Sequence, residues 1–76
     1  MAKPPEPIYQ AIGARIAMVR SALGLTQEDL AKKIGFERTS VVNIEAGRQR
    51  ILLHTAAEIA AALGMTIKHL MKGIWW

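Results

Sequence analysis

Arg38, Thr39, Val42 and Asn43 are residues whose types and spacing suit one joint piece of chemistry. On a helix running through R-T-S-V-V-N-I-E they fall along one side, at about 100° per residue, and Val41 and Ile44 fall on the opposite side. A guanidinium such as Arg38 pairs bidentately with guanine, and a carboxamide such as Asn43 pairs with adenine. The methyl groups of Thr39 and Val42 suit the methyl of thymine. The chemistry is recognition of base edges. The loop that follows, Gly47-Arg48-Gln49-Arg50, carries two arginines suited to backbone phosphates.

The segment that must position these side chains runs from Leu25 to Gly47. Thr26 and Asp29 have the spacing of a capping box, which predicts a helix start. Leu30, Ala31 and Ile34 follow as an apolar stripe at helical spacing. Gly35 predicts the end of that helix, where a residue free to take positive φ is wanted. Val41 and Ile44 give a second short helix its inner side, and Gly47 ends it. Small Ala31 predicts a close crossing of the two. Two short helices joined by a tight Gly-containing turn make a helix-turn-helix unit.

On these residues the chain resembles the Cro/repressor-type (XRE-like) helix-turn-helix family of phage and bacterial regulators. The matching elements are Thr26-Gln27, Leu30-Ala31, Gly35 and Ile44-Glu45-Ala46-Gly47, then Ile59-Ala60, Ala62-Leu63-Gly64 and Leu70. The resemblance covers roughly residues 12–73. It implies an all-α, compact five-helix, lambda-repressor-like DNA-binding domain. It implies that Gln27, at the first position of its helix, contacts a DNA phosphate, with help from the helix dipole and nearby amides. Ser40, Arg48 and Arg50 complete the expected phosphate contacts. It also implies an ion pair between Arg20 and Glu45. In place of the Pro and Ser or Thr that often precede the fourth helix, this chain has Ile51-Leu52, so that helix start is open by a turn.

Ile8, Ile12, Ile16, Val19 and Leu23 form one apolar stripe, which predicts a first helix from about Ile8 to Leu23. A fourth helix is expected from Leu53 to Leu63, with Leu53, Ala56, Ile59, Ala60 and Leu63 inward. Thr66 caps a fifth, from Ile67 to about Lys72. The expected organisation is a flexible proline-rich leader at 1–7, the DNA-binding domain at 8–73 and an apolar tail at 74–76. Ile74, Trp75 and Trp76 are the candidate dimer interface; the alternative is a tail folded back onto its own fifth helix.

Seventy-six residues allow one small domain. A net charge of +4 favours polyanionic partners. The chain has no cysteine, which removes disulfides and thiolate metal sites and agrees with a reducing cytoplasm. Its N-terminus lacks the apolar core of a signal peptide, and no window has the apolar length of a membrane span. His54 and His69 lack partners at ligand spacing, so no metal site and no cofactor are expected. No catalytic constellation is present, and the chain is not read as an enzyme. The reading that results is a sequence-specific double-stranded DNA-binding transcriptional regulator, a repressor, acting in the cytoplasm as a homodimer on a palindromic operator. Alternatives are the antitoxin of a toxin–antitoxin pair, with a toxin partner, and a restriction–modification controller protein. A protein-interaction module without DNA binding is the reading from a different class.

Overall fold

Helix starts and stops written into the sequence account for most of the architecture. The computed structural model describes residues 7–74. Its elements are α1 (Pro7–Ala22), α2 (Gln27–Ile34), α3 (Arg38–Glu45), α4 (Leu53–Ala62) and α5 (Ile67–Leu70). Every regular element among the described residues is helical. Residues 1–6 of the proline-rich leader, and Trp75 and Trp76 of the tail, lie outside them.

The start of α2 is a full capping box. The Asp29 amide donates to Thr26 Oγ1 at 3.0 Å, and the Thr26 amide donates to Asp29 Oδ2 at 2.8 Å. Each bond satisfies an amide that the helix itself leaves unpaired. Gly35, at φ 71°, closes α2. Thr66 starts α5 with half of that arrangement, its Oγ1 accepting from the His69 amide at 3.1 Å.

One core joins all five helices. Ile12 and Ile16 of α1 meet Leu30 and Ala31 of α2, Val41 and Ile44 of α3, Ile59 and Ala60 of α4, and Leu63, Leu70 and Met71. Ala31 is buried within this core. Arg15 Nη1 donates to the Leu70 carbonyl at 3.0 Å and ties the end of α5 back to α1.

Three expectations need correction. Helix α1 ends at Ala22, one residue from the expected end, but Leu23, expected to continue the apolar stripe, is exposed because the chain turns at Gly24. Leu53 is the first residue of α4 and is 71% exposed, while Thr55 takes an inward place. Helix α5 is a single turn ending at Leu70, two residues before Lys72. Helix α4 does start at Leu53, and its N-cap Leu52 makes no side-chain cap bond. Ile74, read from sequence as tail, packs partly buried against the core.

Candidate nucleic-acid interface

Helix α3 carries the candidate reading residues, and its inner side anchors it. Val41 and Ile44 are buried at 1% and 4% exposure. On the outer side Arg38 and Thr39 are exposed, and Val42 and Asn43 are half-buried. The structure therefore brings the four candidates onto one side of one helix. Ser40 is half-buried between the two sides, and Arg48 and Arg50 are exposed in the loop beyond the helix.

Backbone contact fixes α3 against α1. A Cβ on Gly13 would run into the Ile44 carbonyl oxygen and lie 2.6 Å from that of Glu45. Only a residue without a side chain allows the end of α3 to come this close. Gly47 does the same one turn later. Its φ is 73°, and a Cβ there would lie 2.7 Å from the Gln10 Cα. The composition signal was available: glycine inside a helix costs roughly 1 kcal/mol against alanine, so Gly13 in mid-helix marks a packing reason.

Glu45 is a hub at the end of α3, next to the candidate residues. Arg20 Nε donates to Glu45 Oε2 at 2.7 Å and Nη2 to Oε1 at 3.0 Å, a bidentate ion pair. The two side chains are 13% and 6% exposed. Arg20 Nη1 also donates to the Leu25 carbonyl at 2.7 Å, just before α2. The hydrogen bond to Glu45 raises the Arg20 pKa; burial opposes this and the Glu45 charge adds to it. Gln27 Nε2 donates to Glu45 Oε1 at 3.0 Å. The Gln27 carboxamide, read from sequence as a phosphate contact, is thus held against the end of α3, with one N–H and its oxygen still to offer.

Asn43 is also engaged. Arg48 Nη1 donates to Asn43 Oδ1 at 3.2 Å. Neither the Gln27–Glu45 nor the Arg48–Asn43 bond was visible in sequence spacing, because each depends on where the turn returns the chain. Among the described residues no three His, Cys, Asp or Glu side chains group as metal ligands, and no helix is long and apolar enough to cross a membrane.

Known proteins share the family and the fold. The helix-turn-helix family matches residues 16–70. An HTH-type transcriptional regulator of Methanothermobacter thermautotrophicus is 47% identical over 45 residues, a match spanning 59% of this chain and 65% of that protein. A second, from Archaeoglobus fulgidus, is 39% identical over 56 residues, spanning 74% of this chain and 80% of its own length. Neither relative has a characterised role. Among solved structures, the restriction-modification controller protein C.AhdI from Aeromonas hydrophila superposes with a TM-score of 0.77 at 32% identity. That superposition covers 83% of this chain and 94% of the controller.

Proposed function

The chain belongs to the helix-turn-helix family, and we propose that it is a sequence-specific double-stranded DNA-binding transcriptional regulator, a repressor that works without catalysis in the cytoplasm. The observation that carries this is the outer side of α3, where Arg38, Thr39, Val42 and Asn43 stand away from a buried inner side. Helix α3 enters the major groove with α2 lying over the backbone. Arg38 and Asn43 take base edges, with Thr39 and Val42 at thymine methyls. Gln27, Ser40, Arg48 and Arg50 hold phosphates, and the net charge of +4 supplies the sequence-independent attraction.

One reading helix covers a short site, so the reading includes a homodimer on a palindromic operator. Support for a self-associating face lies next to the phosphate loop. Leu52 and Leu53 are 65% and 71% exposed. Beside them an apolar cleft of about 110 Å³ is lined by Ile8, Tyr9, Ile51, Leu53, Ile67 and Met71. A projecting leucine pair next to an apolar recess is self-complementary under a two-fold axis. The proposed interface also includes Trp75 and Trp76, which lie outside the described residues, and Ile74, which is itself half-buried against the core.

Selection of bound DNA from a random pool tests the whole reading. A palindromic consensus is expected, and Arg38→Ala should relax one base position in each half-site at a cost of roughly 1–3 kcal/mol. No enrichment would leave a protein-interaction module. The likeness to C.AhdI favours a restriction–modification controller as the second reading. The consensus lying before restriction–modification genes would establish that reading, and a site before a toxin gene would make the chain an antitoxin.

A further inference from the structure

We infer that Arg48 is a positioning residue for base reading: it fixes which way the Asn43 carboxamide faces. This rests on the proposed reading of DNA by α3. Two bonds join the same two residues. The Arg48 amide donates to the Asn43 carbonyl at 3.0 Å, and Arg48 Nη1 donates to Asn43 Oδ1 at 3.2 Å. The first bond is set by the turn at buried Gly47, so the Arg48 side chain starts from a fixed place beside Asn43.

The chemistry of the pair has one solution. A guanidinium carries donors only, so the carboxamide must turn its oxygen toward Arg48. Its Nδ2 then occupies the other edge. Adenine in the major groove presents an acceptor at N7 and a donor at N6. Asn43 in this orientation offers Nδ2–H to N7 and the second lone pair of Oδ1 to N6–H. Turned over, it would set donor against donor and acceptor against acceptor. Arg48 retains further N–H groups for a phosphate, so one side chain serves both affinity and selectivity.

The test measures preference, not affinity alone. Binding of the full chain to its selected site is compared with binding to sites substituted at each base position, for Asn43→Ala, Arg48→Met, the double variant and Arg50→Met, after thermal melts establish that each is folded. Asn43→Ala should lose the preference at one adenine position. Arg48→Met should lower the preference at that same position by about fivefold, the weight of one ordinary hydrogen bond. The double variant should lose no more preference there than Asn43→Ala. Arg50→Met should weaken all sites alike. Arg48→Met that weakens all sites alike would overturn the inference and make Arg48 a phosphate contact only. Additive losses in the double variant would also overturn it, because Arg48 would then read a base by itself. If Asn43→Ala moves no position, the assignment of Asn43 as a reader fails and the inference falls with it.

Discussion

Replacing Arg20 with methionine should cost this domain a large part of its stability. Arg20 donates three hydrogen bonds, two to Glu45 and one to the Leu25 carbonyl. An exposed ion pair is worth about 0–1 kcal/mol, whereas removing one partner of a buried pair costs roughly 3–5 kcal/mol. At 13% and 6% exposure this pair lies near the buried limit. Gln27 still donates to Glu45 in the variant, which places the cost at the lower end, about 3 kcal/mol. A domain of this length has a total stability of about 4–11 kcal/mol. The melting temperature should therefore fall by roughly 12–24 °C. The assay is a double-mutant cycle on reversible thermal or urea unfolding, with Arg20→Met, Glu45→Leu and the pair. Once one partner is gone, removing the other should cost far less, with a coupling of about 2–3 kcal/mol. The coupling should also survive added salt, since buried pairs are poorly screened. Two small, additive and salt-sensitive costs would refute the reasoning and make these two separate surface charges.

Four further outcomes follow from the geometry. Gly13→Ala should lower stability by roughly 1–3 kcal/mol despite alanine's better helix propensity, because its methyl meets the Ile44 and Glu45 carbonyls; a raised melting temperature would mean that α1 and α3 move apart at no cost. Arg50→Ala should reduce the slope of log affinity against log salt by about one, and an unchanged slope removes Arg50 from the interface. Truncation after Gly73, and separately Leu53→Asp, should lower the mass seen in sedimentation; a dimer that survives both has its seam elsewhere. The Thr26 amide bond holds the Asp29 carboxylate below the ordinary aspartate range. That contribution is fully present above the unfolded value of about 3.9 and is lost as pH falls through the lower folded value, so Asp29→Ala should flatten this acid limb of an unfolding profile.

The fold was legible where local chemistry decides it. Thr26-x-x-Asp29, Gly35, Thr66 and the pairs Val41–Ile44 and Leu30–Ile34 carry their instructions within a few residues. Expectations failed where periodicity was extended past a helix end. Leu23 continues the α1 stripe on paper, but the chain has already turned at Gly24. Leu53 has the right type for the core, but as the first residue of α4 it projects before the helix meets its neighbours. For the site, residue types on α3 named candidates and their common side. Their hydrogen-bond partners were not legible, because Gln27 meets Glu45 across 18 positions and Arg48 meets Asn43 around a turn.

The orientation of the proposed reading helix depends on residues that would never touch DNA. Helix α3 has only two buried apolar side chains, Val41 and Ile44, too few to fix its rotation by packing alone. Its C-terminal end is held by other means: the close approach at Gly13, the turn of Gly47 over Gln10, and the charge hub at Glu45. All three act within one turn of Asn43. A slip at that end would move Asn43 and Arg48 together, while Arg38, at the opposite end and next to the α2–α3 turn, would move less. Partial damage to this frame, as in Glu45→Gln, should therefore impair preference at the Asn43 position before the Arg38 position. Loss of preference at both positions in equal measure would mean that α3 pivots as a whole and that its anchor is the α2–α3 turn.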